Sequence, residues 1–517
     1  MRREWLTAFL RRALWGSRPE RPTYALTRWV FLRLLGVVYL VAFASLFAQL
    51  PGLIGSNGIL PAREFLPAVR QYFGEPRCYG QVPTLFWLDA SDAALRLVCG
   101  GGMALAGLLI VGVAPMPVLV LLWAFYLSLV HVGQDFLSFQ WDALLLETGL
   151  LAVFFAPRQL LPRPSREGEP PTAWLLLLRW LLFRLMFLSG VTKLTYNDPT
   201  WWDLTALNYH YWTQPLPTLL GWYAHHLPEW FQKLSCLAMF AIEIGVPFLI
   251  FAPRRLRLFA CFALVFLQVL IAATGNYGFF NLLALLLCVL LLDDGALKPI
   301  LPRRLTQRFE RRSPPAPRPP WRKLLAAPLI AVLVAASTLE AWEEIRGRAS
   351  LPAPAVRALS WVRPFNSING YGLFRVMTTS RPEIMIEGSY DGVAWLEYGF
   401  RWKPGDRLRP PRWNAPHQPR LDWQMWFAAL EAERRMAVPG GGRGPRWLLQ
   451  FVGRLLQGSP PVLGLLETNP FADRPPRYVR AILYEYRYTS LREQRETGRW
   501  WTRQRLGVYL PSVSLRR

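Results

Sequence analysis

The sequence predicts an α-helical multi-pass membrane domain of about seven to nine spans, followed by a β-rich, sandwich-like soluble domain. The 517-residue chain is 52% hydrophobic and only 18% charged, whereas about a quarter of the residues in soluble domains are charged. Long apolar runs fill the first two thirds of the chain, and shorter alternating runs fill the rest. We expect a basic cytoplasmic leader at 1–28, a transmembrane domain at 29–345 and an extracytoplasmic β-rich domain at 346–517.

Several apolar runs are candidates for membrane-spanning helices. A bilayer core of about 30 Å requires about 20 apolar residues in a helical span. The runs 141–157 and 277–292 are short for this purpose and could be re-entrant, so fewer spans than runs remain possible. The candidate runs lie at 29–50, 93–113, 115–133, 141–157, 173–193, 234–252, 258–275, 277–292 and 324–342.

Arginine in the connecting segments predicts the orientation, because cytoplasmic loops are enriched in basic residues. The formal net charge of +25 is therefore explained by loops between apolar runs and by the tail, and it does not indicate a nucleic-acid partner. The leader and the loops 158–172, 253–257 and 293–323 are rich in arginine and would be cytoplasmic if every run crosses the membrane. The segments that would then lie outside are 51–92, 134–140, 194–233, 274–277 and the chain after Trp342.

The tail after residue 350 alternates polar and apolar residues in short runs, which is typical of strands. Asp391-Gly392 is a hairpin signal between two such runs. A Pro-rich crossing at 404–420 precedes a helix near 421–436. The predicted strands lie near 372–378, 383–388, 394–401 and 478–489.

Four charged residues lie deep within the apolar runs, where an ionisable group is costly and therefore a functional or structural suspect. We expect Glu147 and Glu243 to be buried and paired, with Arg179 and Arg184 as the natural counter-charges. Whether such pairs are structural or serve chemistry stays open. Asp135 and Asp142 are instead compatible with the outer membrane interface.

Lys193 ends an apolar run and has two interpretations. Its ammonium could snorkel to the headgroups, or it could be a desolvated base with a lowered pKa. The following loop is rich in Trp and Tyr, which suits an interfacial helix. That loop also holds His210, His225 and His226, but adjacent histidines on a helix point in different directions, so a metal site is disfavoured.

Common catalytic and redox motifs are missing from the sequence. It contains no GxSxG, P-loop, Rossmann glycine pattern or HExxH, and no CxxC pair among its five cysteines. We therefore assign no catalytic residue from these motifs, no cofactor and no metal.

Stretches along nearly the whole chain resemble the lipase maturation factor family. The resemblance implies a multi-pass membrane protein that helps dimeric secreted lipases reach an active assembled state, in animals within the endoplasmic reticulum membrane. For a bacterial chain, which the preference for Arg over Lys suggests, the inner membrane is expected. The stretches are "GLIGSNGILPAREFL" (52–66), "FLSFQWDALLLETGLLAVFFAP" (136–157), "DPTWWDLTALNYHYWTQPLP" (198–217), "ATGNYGFFNLLALLLC" (273–288), "NSINGYGLFRVMTTSRPEIMIEGSYDG" (366–392), "RLDWQMWFAAL" (420–430) and "NPFADRPPRYVRAILYEYRYT" (469–489).

A weaker, local resemblance concerns "LSGVTKLTYNDPTWWDLTAL", which looks like the segment of vitamin K-dependent carboxylases that contains a catalytic lysine. Lys193 occupies the matching position. This implies an alternative function, an integral-membrane enzyme with Lys193 as its base.

The aromatic stretch from Ala415 to Leu430 has two interpretations. Its helix carries two overlapping apolar stripes, which are ordinarily core. The family resemblance implies a client protein, lipase-like and exported, and part of this surface could dock it, because Trp, Tyr and Arg dominate interface hot spots. The candidate client-binding residues are Arg420, Asp422, Trp423, Trp426 and Phe427. Membrane lipids are the other expected partner.

Overall fold

A computed structural model describes residues 22–162, 168–310, 321–436 and 444–515. Seven helices of the described chain are long and apolar enough to cross a membrane, which confirms a multi-pass domain. They are α1 (Ala25–Phe47), α2 (Asp92–Val111), α3 (Pro115–Val132), α5 (Thr172–Thr195), α6 (Glu229–Phe240, continued by a π turn at Ala241–Gly245 and a 3-10 turn at Val246–Phe251), α7 (Arg254–Thr274) and α9 (Trp321–Arg346).

The two short runs form helices that are too short to span by themselves. Helix α4 (Gln140–Phe155) has 16 residues and α8 (Phe280–Val289) has 10. Both pack on longer helices of the bundle, α4 on α3 and α5, and α8 on α7 and α1. Seven long helices with two shorter ones lie within the predicted range of spans.

Helices α1 and α2 pack closely because glycines lie at their contact. A Cβ placed on Gly102 of α2 would come within 2.4 Å of the Phe43 ring of α1. Small residues that let helix backbones approach are a common way to associate helices in membranes. The pair contributes Phe43, Leu46 and Leu95 to one continuous apolar core.

Shorter helices connect the long ones and lead into the C-terminal domain. In that domain, helix α10 (Ala353–Val362) precedes the sheet, and α11 (Arg420–Met436) and α12 (Arg446–Leu456) lie between strands two and three of the sheet in sequence. The connecting helices are Leu50–Leu53, Ala62–Phe73, Arg77–Gln81, Pro199–Trp202, Ala206–Thr213, Leu219–His225, Asp294–Leu297, Arg303–Glu310, Pro460–Leu463 and Leu491–Thr497, with 3-10 turns at Leu85–Trp87, Gln134–Leu137, Arg348–Ser350 and Arg363–Phe365.

The C-terminal domain is built on a four-stranded antiparallel sheet in the order β2-β1-β3-β4. Its strands are β1 (Pro382–Ser389), β2 (Leu396–Glu397), β3 (Tyr478–Tyr488) and β4 (Trp501–Val513). The β-rich prediction is confirmed in outline. The sandwich form differs, because the described residues form one sheet and α11 packs on β1 where a second sheet would lie.

Some of the individual strand predictions are confirmed and others are wrong. The β1 and β3 regions are strands as predicted, and the hairpin turn lies at Asp391-Gly392, where Gly392 has φ +80. The segment 372–378 is not a strand: its backbone is held by side chains of the membrane domain, with Trp201 Nε1 donating to the Phe374 carbonyl at 3.0 Å. Strand β4 was not predicted.

The two ends of the helix bundle differ in character. At one end, Arg254 donates to Asp293 at 2.5 and 2.9 Å, and the Tyr24 amide donates to Glu169 at 2.8 Å. The described parts of the arginine-rich connections between helices lie at this end. The C-terminal domain packs on loops at the other end, where Arg454 Nε donates to the Gly58 carbonyl at 2.8 Å.

Candidate functional site

The most extensive buried polar arrangement in the described chain lies where the C-terminal domain meets the loops of the helix bundle, and we refer to it as the domain interface. Arg420, the first residue of α11, donates two hydrogen bonds to the Asp142 carboxylate of α4 at 2.8 and 2.9 Å. It also donates to the Phe136 carbonyl at 2.8 Å, and the Tyr126 hydroxyl donates to Asp142 at 2.5 Å. Both charged side chains are 1% exposed.

Because Asp142 and Arg420 are both buried, each charge is stable there only while the other is present. Removing two charges from water is expensive, and only good geometry with further hydrogen bonds offsets it. The fork of Arg420 on Asp142 supplies such geometry. The C-terminal domain covers Asp142 at this end of the bundle, and its position at the outer membrane interface stays a prediction. Asp135, by contrast, is exposed.

Side chains at the end of α1 bind the backbone that leads into α11. Gln49 accepts from the Arg420 amide at 2.9 Å and donates to the Gln418 carbonyl at 2.8 Å. The Ser45 hydroxyl accepts from the Gln418 amide at 2.9 Å. From the 274–279 loop, Asn276 accepts from the Asn414 amide at 2.9 Å. An otherwise irregular segment is thus fixed on the membrane domain by ordinary amide and hydroxyl groups.

A second buried arginine joins the sheet to the loop 212–215. Arg381 is fully buried and donates to the carbonyls of Trp212 at 2.7 Å and Pro215 at 2.9 Å. It also pairs with Glu383 at 2.8 Å, and Glu383 in turn accepts from Lys403 at 2.9 Å. Carbonyl oxygens and a carboxylate together satisfy the guanidinium, so this cluster is structural in form.

Four of the five residues predicted to contact a client are buried at this interface. Asp422 accepts from the amides of Trp402 and Lys403, both at 2.9 Å, and burial raises the pKa of the Asp422 carboxyl above its usual range. Trp423 and Trp426 are 4% and 7% exposed, whereas Phe427 is 38% exposed.

The contacts of the two tryptophans explain why this stretch is so aromatic. Trp423 meets Trp141 of α4 edge-on, with 4.7 Å between ring centroids. Trp426 Nε1 donates to the Thr213 carbonyl at 2.8 Å. Both tryptophans thus contact the membrane domain, and α11 also packs on β1 of the sheet, which favours the core interpretation over an exposed docking surface.

The four charges predicted within the membrane domain are all buried, and they lie at three separate places. Glu147 pairs with Arg184 and accepts from the Tyr371 hydroxyl at 2.7 Å. Arg184 also donates to the Asn369 carbonyl at 2.9 Å. Arg179 lies elsewhere and donates to the Leu290 carbonyl at 2.9 and 3.1 Å.

Glu243 has a different partner from the predicted arginines. It pairs with Lys193 at 2.7 Å, and the Lys193 ammonium also donates to the Ser189 carbonyl at 2.8 Å. Lys193 is 4% exposed, so it is buried, and snorkelling does not describe it. Glu243 lies in the π turn that continues α6, and this turn packs on α5.

The histidines of the loop after α5 have packing partners of their own. Burial and the nearby Lys193 ammonium lower the pKa of His210 to about 4. His226 bonds the Trp222 and Thr489 carbonyls at 2.8 and 3.0 Å. No cluster of three or more His, Cys, Asp or Glu suited to a metal occurs within the described residues.

Sequence reasoning missed Gln49, Asn276, Arg381 and the cluster around Glu383. A signal for Arg381 existed, because it directly precedes a strand that is buried along its whole length. Besides Glu383, however, its partners are backbone carbonyls, and no residue pattern in a sequence marks a carbonyl that needs a partner. The amides of Gln49 and Asn276 gave no signal that separates them from surface residues.

Comparisons with known proteins agree along most of the chain. The family model described as lipase maturation factor transmembrane domain matches residues 26–299, and that described as lipase maturation factor C-terminal domain matches residues 367–511. Lipase maturation factor 2 of Homo sapiens is 41% identical over 95% of this chain and 83% of its own length.

Proteins with a second name also match. Lipase maturation factor 1 of Bos taurus is 36% identical over 96% of this chain and 91% of its own length, and that of Mus musculus is 34% identical over 96% and 89%. No solved structure matches the chain.

Proposed function

The chain belongs to the lipase maturation factor family, and from this we propose that it assists the folding or assembly of secreted lipases or of other exported client proteins. The supporting observation is that relatives bearing this name align with 95% or more of the chain. The alignment includes both the helix bundle and the sheet domain. The proposal therefore concerns the chain with both domains.

The domain interface supports a protein that works as one unit. The C-terminal domain bonds to four loops at one end of the bundle, through Gly58, Phe136, Pro215 and Asn276. These loops belong to four different connections between helices. A domain bound at so many points is held against the membrane domain, and a client that binds it is held near the membrane surface.

We propose that this end of the bundle is extracytoplasmic, with the leader 1–28 in the cytoplasm. The support is that the arginine-rich connections around Arg158 and Arg254 lie at the opposite end, and basic loops favour the cytoplasm. In a bacterium the membrane would be the inner membrane, and in an animal cell the endoplasmic reticulum membrane. The domain would then meet clients after their export.

Phe427 is the part of the predicted client surface that the fold leaves accessible. It is 38% exposed, and its ring lies 5.8 Å from Phe139 and 4.9 Å from Trp426 between centroids. We propose that client contact in this region is confined to this ring and its surroundings. Arg420, Asp422, Trp423 and Trp426 would then act by holding α11 in place.

The test is co-expression with a dimeric secreted lipase in cells that lack a maturation factor of their own. We expect the secreted lipase activity per unit of secreted lipase antigen to rise, because assembly and not synthesis is assisted. Arg420→Gln, which disrupts the domain interface, should abolish the rise, whereas the exposed Arg412→Gln should preserve it. An unchanged ratio with correctly inserted wild-type protein would contradict a lipase client.

A further inference from the structure

A groove of about 610 Å³ lies beside the membrane domain, between the helix Ala62–Phe73 and the turn formed by residues 86–91. Its helical wall presents Arg63, Leu66, Pro67 and Arg70, which share one face because they are three or four residues apart. Known binding sites for small molecules have volumes of about 300–1,000 Å³ and largely apolar walls with a few polar groups. We refer to this feature as the 62–91 groove.

The lining of the 62–91 groove is amphiphilic. Leu66 and Phe86 form an apolar floor and are 4% and 2% exposed. Leu88 is 90% exposed on the opposite wall. Arg63 is exposed and has no ion-pair partner among the residues that the structure describes. Arg70 lies over the Trp87 ring, with 5.5 Å to its centroid.

Arg70 and Asp89, the other two charged residues of the lining, already have nearby partners. Arg70 pairs with Glu75 at 2.9 Å, but both side chains are about half exposed, and such exposed pairs are weak and screened by salt. Asp89 accepts from the amide and hydroxyl of Ser91 at 2.9 and 2.8 Å. The positive charge of Arg63 is therefore the one without a local counter-charge in this lining.

The wall of the groove formed by residues 86–91 is anchored to the helix bundle at both of its ends. The Leu85 amide donates to the Ser128 hydroxyl of α3 at 3.0 Å. Ser91 caps α2 by accepting from the Ala94 amide at 3.2 Å, and Asp92 accepts from the Ser56 hydroxyl at 2.7 Å. Pre-organised walls reduce the ordering cost of binding.

The position of the groove indicates where its occupant comes from. Helix α2 is a membrane span and begins at Asp92, directly after the groove residue Ser91. The groove therefore lies at the border between membrane and water. Exposed Leu88 and Tyr72, which is 82% exposed, suit that interface.

We propose that the 62–91 groove binds an anionic amphiphile from the membrane, with its phosphate or carboxylate at Arg63 and its acyl chain along Leu66, Phe86 and Leu88. Charge complementarity at Arg63 and the apolar floor select this class. An anionic phospholipid and a free fatty acid share this chemistry. The inference does not depend on the proposed maturation function.

The test is native mass spectrometry of the purified full chain in detergent micelles with added phosphatidylglycerol, phosphatidylcholine of the same acyl chains, or oleate. We expect the wild type to bind one phosphatidylglycerol about tenfold more tightly than phosphatidylcholine, as one charge-assisted hydrogen-bond site allows. Arg63→Gln should lose this preference. Arg77→Gln, a matched exposed arginine outside the lining, should retain it.

A second measurement locates the bound lipid. The five native cysteines are buried, so Leu88→Cys supplies the accessible thiol. We expect bound phosphatidylglycerol to slow the alkylation of this thiol. Oleate that gives the same protection in an Arg63-dependent manner supports the groove and adds fatty acids to its ligands. Equal binding of both phospholipids to the wild type, unchanged binding by Arg63→Gln, or protection by purified lipase but by no lipid would overturn the proposal.

Discussion

Single buried charges stand out in the sequence, but their sequence context shows only one member of each ion pair. Charge in an apolar run marks Glu147 and Glu243 as buried groups. It does not show that Lys193 and not an arginine would bind Glu243, because the two residues are 50 positions apart and lie on different helices. Likewise, Asp142 has the same sequence context as exposed Asp135, and only tertiary contact separates them.

Arg420→Gln should destabilise the protein by about 3–5 kcal/mol, because it leaves the Asp142 carboxylate buried without its counter-charge. Adding Asp142→Asn should restore much of the loss, since neither variant residue then carries a charge. The measurement is a double-mutant cycle on thermal unfolding in detergent. Arg412→Gln, whose side chain is 43% exposed in its pair with Glu467, should cost at most about 1 kcal/mol.

Lys193→Met should lower stability because it leaves Glu243 uncompensated in the protein interior, and the double variant Lys193→Met/Glu243→Gln should recover it. The same two variants separate structure from chemistry in the lipase maturation assay. If the pair is only structural, a double variant with restored stability should mature lipase to the same extent as the wild type. A double variant of normal stability that matures no lipase would show that the pair of Lys193 and Glu243 has a role beyond stability.

At the scale of elements, helices were predicted better than strands. Apolar runs define α1, α2 and α7 almost by length alone, because the bilayer imposes that length. Strand β4 escaped prediction because three register irregularities interrupt its pairing with β3, so its polar and apolar residues do not alternate. The segment 372–378 alternates like a strand but finds its hydrogen bonds on Trp201 and Asp198 instead.

Helix α11 illustrates how an aromatic run can serve two faces. Trp423→Ala should cost about 3–5 kcal/mol, because a large buried ring is replaced by a cavity. Phe427→Ala should cost clearly less, since its ring is 38% exposed. Thermal unfolding of the full chain gives both values, and co-precipitation with lipase gives client capture. A Phe427→Ala protein that melts normally and captures lipase as well as wild type would remove Phe427 from the client surface.

At the scale of the whole molecule, the sequence predicted which loops share a side, and contacts in the fold are consistent with that grouping. Segments 51–92, 134–140, 194–233 and 274–277 were grouped by arginine counting, and each donates or accepts a hydrogen bond across the domain interface. The packing of the C-terminal domain itself could not be predicted. It depends on amides such as Asn276 and Gln49 that bond to distant backbone, which leaves no local pattern.

The orientation of this arrangement in a membrane can be tested with single cysteines, because all five native thiols are buried. Tyr72→Cys and Val393→Cys, each at a position 82% exposed, should react with a membrane-impermeant maleimide added to intact cells. Arg158→Cys and Arg255→Cys, exposed at the opposite end of the bundle, should react only after permeabilisation. This follows from the preference of basic loops for the cytoplasm. The reverse labelling pattern would place the C-terminal domain in the cytoplasm, where an exported client could not reach it.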